Sequence, residues 1–299
     1  MREEAPTLSE LSNVTSGDFR SLARMISMVE NDHPLASSIL RTLKPNYKIP
    51  LIGITGPPGA GKSTLVNSLA GHLSSIGQRV AVLAIDPSSP FNMGSLLGDR
   101  IRMVPRFNDS NIYIRSMASR GALGGLSEKA IEITDVLRSA PFDVIFVETV
   151  GVGQSEIDIV GLADQTVVVL VPESGDEIQH VKSGLMEVAT VYVVNKADRD
   201  GADIFASKLL RMLRQKQVNI PVFKVVADKS EGIEHLIQHL SSTVECSSSR
   251  KSQLLLAKAW RLIQSKRMKN VNRDNLAKQL ELEGRGEGFN LYRFVENNY

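Results

Sequence analysis

The sequence lacks paired cysteines, long apolar stretches and an excess of basic residues, the features that disulfides, membrane spans and nucleic-acid binding require. It contains one cysteine, Cys246, so no disulfide can form within the chain, which fits a reducing compartment. Its 35 Lys and Arg residues nearly balance its 33 Asp and Glu residues, whereas nucleic-acid binders usually carry a clear basic excess. The longest apolar stretches, such as Thr166–Val171, are as long as a strand and fall far short of the roughly 20 residues of a membrane span. The start, Met-Arg-Glu-Glu, lacks the apolar segment of a secretory signal. We therefore expect a cytoplasmic protein whose partners include neither a membrane nor a nucleic acid.

The pattern of apolar residues divides the chain into three segments. Residues 1–45 are predicted to be a helical extension, because apolar residues between positions 22 and 29 recur at helical spacing and Asp18 stands where an N-cap residue would. Residues 46–245 are predicted to form a central domain in which strands and helices alternate. Residues 246–299 form a C-terminal extension that is helical again beyond residue 250 and then polar, and we expect this extension to need a partner surface.

Apolar, β-branched runs in the central domain alternate with longer helical segments. Such runs are typical of strands that are buried on both faces of a sheet. They are Leu51–Thr55, Val80–Ile85, Val144–Val147, Val167–Val171, Val191–Val194 and Val222–Val226. Helices are predicted to start near Lys62, Gly125, Asp176, Ala202 and Glu231. The alternation predicts an α/β fold with a mostly parallel central sheet flanked by helices, and with helical N- and C-terminal extensions.

A glycine-rich motif, G-x-x-x-x-G-K-[ST], joins the first predicted strand to the first helix of the central domain. It reads Gly56-Pro57-Pro58-Gly59-Ala60-Gly61-Lys62-Ser63, and Thr64 follows it. Glycines let the backbone turn tightly and direct successive N–H groups at phosphate oxygens, while the N-terminus of the following helix adds partial positive charge. Lys62 is expected to bridge the β- and γ-phosphates, and the Ser63 hydroxyl to ligate Mg²⁺. The residues from Gly56 to Thr64 are therefore predicted to bind the phosphates of a nucleotide, which makes the central domain a P-loop domain.

A second motif, Asn195-Lys196-Ala197-Asp198, directly follows the strand predicted at Val191–Val194 and matches the N-K-x-D pattern of GTPases. The Asp198 carboxylate can accept hydrogen bonds from N1–H and N2–H₂ of guanine, and adenine has neither donor on that edge. Lys196 can pack over the base, and Asn195 can tie this loop to the phosphate loop. The backbone N–H of Ala227 can supply a further contact to the base, although Val226 stands where GTPases usually carry a serine. The two motifs together predict that the chain binds GTP and GDP.

Glu148-Thr149-Val150-Gly151 parallels the D-x-x-G element of GTPases, with Glu in place of Asp. Glu148 is expected to position Mg²⁺ or its waters, and the N–H of Gly151 to hold the γ-phosphate; a structural ion-pair role for Glu148 is the alternative. Ras-like enzymes place a water-orienting Gln directly after this glycine, and here that position is Val152. Hydrolysis of GTP to GDP and phosphate is therefore expected to be slow, or to depend on another element that moves to the site.

Charged residues in two other regions are candidates for that element. Asp86 and Asp99 are candidate partners of Mg²⁺ or its waters, and Arg102 is a candidate for neutralising charge on the transferred phosphoryl group. The second region is Pro172–Lys182, in which Lys182 is the candidate. For each of these residues the alternative is a solvated surface charge.

Several longer strings make the chain resemble the ArgK/MeaB (MMAA-type) GTPases, which are accessory proteins of adenosylcobalamin-dependent acyl-CoA mutases. They are Asp86–Pro90 with Leu97–Met103, Arg115–Leu126, Glu148–Glu156, and Gly175–Glu187 leading into Asn195–Asp198. The resemblance implies a G domain and a homodimer in which the N- and C-terminal helical extensions, the latter being residues 246–299, help association. It also implies switches at Asp86–Met103 and Pro172–Lys182. It further implies that a partner mutase, chiefly of the methylmalonyl-CoA mutase type, organises the second switch and brings Lys182 and Arg102 toward the phosphates.

The function that the resemblance implies is gating. GTP binding and hydrolysis would control the loading of adenosylcobalamin onto the mutase and the ejection of damaged cofactor, while this chain itself would hold no cobalamin. Two other functions stay open: a metallochaperone GTPase for another metal centre, and a protein kinase or ATPase of an amino-acid transport system.

Overall fold

The computed structural model describes residues 8–86, 108–118, 129–149, 159–173, 189–242, 248–268, 271, 273–283 and 290–298. The described strands are β1 (Leu51–Thr55), β2 (Val80–Asp86), β3 (Ile112–Ala118), β4 (Val144–Glu148), β5 (Gln165–Leu170), β6 (Val191–Val194) and β7 (Val222–Lys224). The described α-helices are α1 (Leu8–Ser16), α2 (Phe19–Glu30), α3 (Ala36–Thr42), α4 (Lys62–Ser75), α5 (Ala130–Arg138), α6 (Ala202–Gln215), α7 (Ile233–Ser242), α8 (Ser248–Met268), α9 (Arg273–Glu283) and α10 (Leu291–Asn298). Short 3₁₀ turns lie at Ile159–Gly161 and Ala227–Lys229.

The strands form one seven-stranded sheet in the order β3-β2-β4-β1-β5-β6-β7. Every neighbouring pair in this sheet is parallel, which confirms the predicted α/β fold. Because the strands are parallel, the carboxyl ends of β1, β4 and β6 lie at the same edge of the sheet. In open sheets of this kind, ligands bind in the crevice at that edge.

The alternation of side chains along each central strand fills a core on both faces of the sheet. In β2, Val80 and Val82 pack in the same cluster as residues of α4 and α7, whereas Ala81 and Leu83 pack with residues of α2 and α5 on the other face. A third cluster packs β5 and β6 against α6. Both faces of the sheet are therefore covered, which explains why its strands are near-continuous runs of Val and Ile.

The first described helices dock on the sheet through polar contacts as well as apolar ones. The Asp18 side chain caps α2 by accepting a hydrogen bond from the backbone N–H of Ser21 at 2.8 Å, as the sequence predicted. The Arg115 side chain on β3 forms an ion pair with Glu30 at the end of α2, with the two charged atoms 2.5 Å apart. This pair joins the predicted N-terminal extension to the edge of the sheet.

The structure corrects the predicted list of strands at one place. β3 was not predicted as a strand, because Arg115 and Ser116 interrupt its apolar residues and the buried-strand pattern is absent. It pairs with β2 alone at the edge of the sheet, where half-exposed polar side chains are tolerated. The strand predicted at Val222–Val226 ends earlier, at Lys224. The helix predicted near Asp176 lies outside the described residues, and α5 begins at Ala130, after the predicted start near Gly125.

The chain divides into two compact units, Met1–Leu254 and Leu255–Tyr299. The first unit contains the whole sheet. The second exposes large apolar side chains, among them Leu256, Trp260 and Tyr292, which are 69%, 60% and 84% exposed. Within the described part of the chain, each helix is too short or too polar to span a bilayer.

Candidate functional site

Glycines shape the loop between β1 and α4, residues 56 to 61. Gly56, Gly59 and Gly61 have φ angles of 141°, 77° and 83°, a region that L side chains rarely adopt. A Cβ atom on Gly56 would lie 2.1 Å from the carbonyl oxygen of Val169, and one on Gly61 would lie 2.4 Å from the side-chain nitrogen of Asn195. Both positions therefore require glycine, whereas Gly59 has open space around it and requires glycine only for its backbone angle.

Lys62 is the first residue of α4 and is only 8% exposed. Its ammonium group donates hydrogen bonds to the carbonyl oxygens of Gly56 at 2.9 Å and Pro57 at 3.0 Å. The charge is therefore held inside the curve of the loop at the N-terminus of α4, where a helix favours anions. Phosphate oxygens can replace these two carbonyl acceptors with little movement of the side chain.

A hydroxyl and a carboxylate meet beside Lys62. The Ser63 hydroxyl donates to Oε1 of Glu148 at 2.6 Å, and the two residues are 3% and 4% exposed. Glu148 is the last residue of β4. The next residue, Thr149, donates its N–H to the carbonyl of Ile54 at 3.0 Å and so holds the end of β4 against β1. Both side chains offer oxygen atoms, the ligands that Mg²⁺ prefers, and a buried carboxylate favours a nearby cation. Ser63 and Glu148 therefore fit Mg²⁺. Among the residues that the structure describes, His, Cys, Asp and Glu side chains do not gather in a group of three or more that would hold another metal.

Asn195 connects the two predicted nucleotide loops, as the sequence analysis expected. It follows β6 and is 2% exposed. Its side-chain nitrogen donates to the carbonyl of Ala60 at 2.9 Å, and its side-chain oxygen accepts the N–H of Ala227 at 3.1 Å. One side chain thus joins the phosphate loop, the N-K-x-D loop and the turn at Ala227. The hydroxyl of Ser68 on α4 also donates to the carbonyl of Ala227, so the turn is tied to the helix as well.

Lys196 and Asp198 extend from this connected frame. Lys196 has a φ of 54°, and its ammonium group donates to the carbonyl of Gly59 at 2.9 Å, so its stem lies between the base loop and the phosphate loop. The Lys229 ammonium donates to Oδ2 of Asp198 at 2.7 Å. This hydrogen bond from Lys229 lowers the pKa of the Asp198 carboxyl below its ordinary value.

The start of the second predicted switch, Pro172–Lys182, is also connected to the base loop, through Glu173. The Arg199 guanidinium forms an ion pair with the carboxylate of Glu173, and this hydrogen bond lowers the pKa of Glu173. Neither this pair nor the Lys229–Asp198 pair was predicted from the sequence. Only the Lys229–Asp198 pair had a weak signal in the sequence, because Lys229 lies two residues after Ala227, which was predicted to contact the base.

The structure leaves several predicted residues outside the described part of the chain. These are Asp99, Arg102, Gly151 and Lys182. The backbone of Asp86 ends β2, but its side chain is not described. Of the described predicted residues, Glu148 ends β4, and the others lie in the loops or first helical turns that follow β1, β6 and β7: Gly56 to Thr64, Asn195, Lys196, Asp198 and Ala227.

The chain matches one family model and is similar in sequence or fold to several known proteins. Residues 22–283 match the family model described as methylmalonyl Co-A mutase-associated GTPase MeaB. A Pyrococcus horikoshii protein whose name describes it as a GTPase is 46% identical over 234 residues, which cover 76% of this chain and 74% of the relative. The mitochondrial methylmalonic aciduria type A homolog of Mus musculus is 35% identical over 285 residues, which cover 85% of this chain and 68% of the relative. A crystal structure described as a LAO/AO transport system kinase shares the fold, with a TM-score of 0.67 and 24% identity over 98% of both chains.

Proposed function

We propose that this chain, which belongs to the family of methylmalonyl Co-A mutase-associated GTPases, hydrolyses Mg²⁺-bound GTP and uses the cycle to gate a B12-dependent acyl-CoA mutase. The gated steps are the loading of adenosylcobalamin onto the mutase and the protection of its cofactor. The observation that carries the nucleotide part is the position of Asn195, whose side chain bonds to both Ala60 and Ala227. It places the phosphate loop and the base-reading residues in one connected frame, at a spacing that the folded chain sets in advance.

The phosphates are proposed to bind the residues from Gly56 to Thr64. The Lys62 ammonium exchanges its bonds to the carbonyls of Gly56 and Pro57 for oxygens of the β- and γ-phosphates. The backbone N–H groups of the loop and the N-terminus of α4 supply the remaining positive potential. Because Lys62 is almost buried, water competes little for its charge, and its bonds to phosphate are stronger than those of a surface lysine.

Ser63 and Glu148 are proposed to hold Mg²⁺. The Ser63 hydroxyl turns from Glu148 toward the ion as a direct ligand, and Glu148 orients the ion or its waters. An ion held by Ser63 and Glu148 would supply positive charge beside the phosphates. Asp86 and Asp99 are proposed as further partners of the ion or its waters, on the strength of the family resemblance.

Guanine is proposed to bind between Lys196 and Asp198. The Asp198 carboxylate accepts N1–H and N2–H₂, and the Lys196 stem covers one face of the base. The predicted base contact of the Ala227 N–H is not part of the proposal, because this N–H is donated to the side-chain oxygen of Asn195. ATP would leave the charged acceptor of Asp198 without its donors, so the site favours GTP.

Hydrolysis is proposed to be slow until a partner completes the site. Val152 stands where Ras-like enzymes carry the water-orienting Gln, so the chain has no such group directly after Gly151. Gly151 is proposed to hold the γ-phosphate, and Arg102 and Lys182 to reach it when the mutase orders their segments. These roles rest on the resemblance to the family.

The mutase partner and a homodimer are proposed from the family and from the second compact unit. The description of the family model names methylmalonyl Co-A mutase, and the name of the mouse relative refers to methylmalonic aciduria. The exposed apolar residues of the second unit, including Trp260 and Tyr292, favour association with another protein surface, for which we propose a second copy of the chain. The chain is proposed to hold no cobalamin and to act in the cytoplasm.

The test is GTP hydrolysis by the full chain with and without a purified B12-dependent acyl-CoA mutase from the same organism. Slow basal turnover that rises more than about tenfold with the mutase supports gating, since a partner protein can supply in trans a catalytic group that a GTPase lacks. Lys62→Ala should abolish turnover under both conditions, and Lys48→Ala, which removes an exposed lysine, serves as the matched control. Turnover that ignores the mutase contradicts the gating role, and turnover by Lys62→Ala contradicts the phosphate site.

A further inference from the structure

The carboxylate proposed to read guanine is already engaged by a lysine of the same protein. Lys229 places its ammonium nitrogen 2.7 Å from Oδ2 of Asp198. The two side chains are 54% and 39% exposed, so the pair lies at the mouth of the base site and not in the core. A base that enters the site meets this pair first.

The backbone around Lys229 is fixed, so the pair is not a chance contact of two loose loops. Lys229 ends the 3₁₀ turn Ala227–Lys229, and its N–H donates to the carbonyl of Val226 at 3.0 Å. Ala227 is bonded to Asn195 through its N–H and to Ser68 through its carbonyl. On the other loop, the N–H of Ala197 donates to the carbonyl of Val225 at 3.0 Å. These bonds hold the two backbones together, and only the Lys229 side chain is left to swing away.

Lys229 and guanine both use the Asp198 carboxylate as a hydrogen-bond acceptor. A lysine ammonium has three donors and no acceptor, and the Watson–Crick edge of guanine presents N1–H and N2–H₂ to a carboxylate. The carboxylate has two oxygens, and guanine uses both when it is read by two hydrogen bonds. Each oxygen can accept more than one hydrogen bond, so an ammonium on Oδ2 does not use up that oxygen, but it takes one of its lone-pair directions and repels the partial positive charge of the guanine N–H groups.

We propose that Lys229 is a specificity-determining positioning residue that competes with the 2-amino edge of guanine for Asp198. This inference rests on the proposed guanine site. Guanine binds by displacing Lys229, and Lys229 returns to Asp198 as the base leaves. The pair lowers the affinity for GTP and GDP and favours release of the product.

Hypoxanthine separates this competition from a general charge effect. Its nucleotides lack the 2-amino group and donate N1–H alone, so they need one carboxylate oxygen and leave the other to Lys229. Removal of Lys229 should therefore strengthen GDP binding more than IDP binding. A loss of surface charge that acts at long range would change both nucleotides alike.

The experiment is calorimetric titration of the full chain with GDP and with IDP, for the wild type, Lys229→Ala and Lys229→Arg. Lys224→Ala is the matched control, because Lys224 forms an exposed pair with Asp203 at 2.6 Å and is 51% exposed. We expect Lys229→Ala to bind GDP about two- to fivefold more tightly, the range that loss of an exposed ion pair corresponds to. The gain for IDP should be smaller, Lys229→Arg should stay near the wild type, and Lys224→Ala should show no gain for either nucleotide.

Unchanged or weaker GDP binding by Lys229→Ala overturns the competition. Equal gains for GDP and IDP also overturn it, because the 2-amino group would then play no part. If the wild type binds no GDP at all, the proposed function itself is wrong, and this outcome is distinct from failure of the Lys229 inference alone.

Discussion

Replacing Asn195 with alanine removes the side chain that joins the phosphate loop to the base loop. The carbonyl of Ala60 and the N–H of Ala227 both lose their side-chain partner, and these two residues are 0% and 1% exposed. A buried polar group without a partner costs about 1–3 kcal/mol, so the two together should lower the free energy of unfolding by about 2–6 kcal/mol. With a urea slope of about 3 kcal/mol/M, the midpoint of unfolding should fall by about 0.7–2 M.

The assay is urea unfolding of the full chain, followed by GDP titration of the folded variant. Asn46→Ala is the control, because it removes the same atoms from an exposed residue whose oxygen accepts only the nearby N–H of Lys48, at 3.1 Å, among the contacts described. That variant should change stability by no more than about 0.5 kcal/mol. If Asn195→Ala shifts the midpoint no more than Asn46→Ala does, the argument that Asn195 couples the two loops is refuted.

Substitutions at Gly56, Arg138 and Glu132, with their controls, test three further features of the structure. Gly56→Ala should abolish GDP binding or prevent folding, because its added methyl group would overlap a backbone carbonyl. Gly59→Ala meets open space and should cost only about 1 kcal/mol of backbone strain. GDP titration of both variants separates the steric overlap from the backbone strain. Arg138→Met should lower the free energy of unfolding by about 3 kcal/mol, because Arg138 is 2% exposed and its loss removes the cationic partner of the Asp164 carboxylate, which keeps the N–H of Leu51. Thermal unfolding measures the loss, and adding Asp164→Asn should restore part of it. Burial raises the pKa of Glu132 above its ordinary value of 4.5, so the charged carboxylate destabilises the folded state as pH rises through that raised pKa. Glu132→Gln should therefore raise Tm at pH 7 and lose this advantage near pH 4. An equal gain in Tm at both pH values would contradict the raised pKa of Glu132.

Most of the fold could be predicted from the sequence because its strands are buried on both faces. Buried strands demand Val and Ile at nearly every position, and that demand is visible in one sequence. β3 escaped prediction because it lies at the edge of the sheet, where Arg115 can leave the apolar pattern and bind Glu30 instead. The pairing of Arg115 with Glu30 depends on how α2 docks, which local pattern does not determine.

The candidate site, like the fold, has parts that the sequence predicts and parts that it does not. The phosphate and base loops could be predicted because their chemistry requires particular residues at fixed spacing, and Asn195 joins them as expected. The ion pairs of Asp198 with Lys229 and of Arg199 with Glu173 link residues 31 and 26 positions apart. Any of several surface charges can satisfy such a pair, so the partner is decided by the loop geometry of the folded chain and not by a motif.

Titration of the full chain with GDP and XDP, for the wild type and for Asp198→Asn, tests the central claim most directly. Xanthine carries a carbonyl where guanine carries the 2-amino group, so the Asp198 carboxylate should reject XDP and the asparagine amide should accept it. We predict that the wild type prefers GDP by orders of magnitude, up to roughly 10⁴-fold, and that Asp198→Asn reverses or abolishes the preference. A variant that still prefers GDP and rejects XDP, as the wild type does, would show that guanine is not read at Asp198.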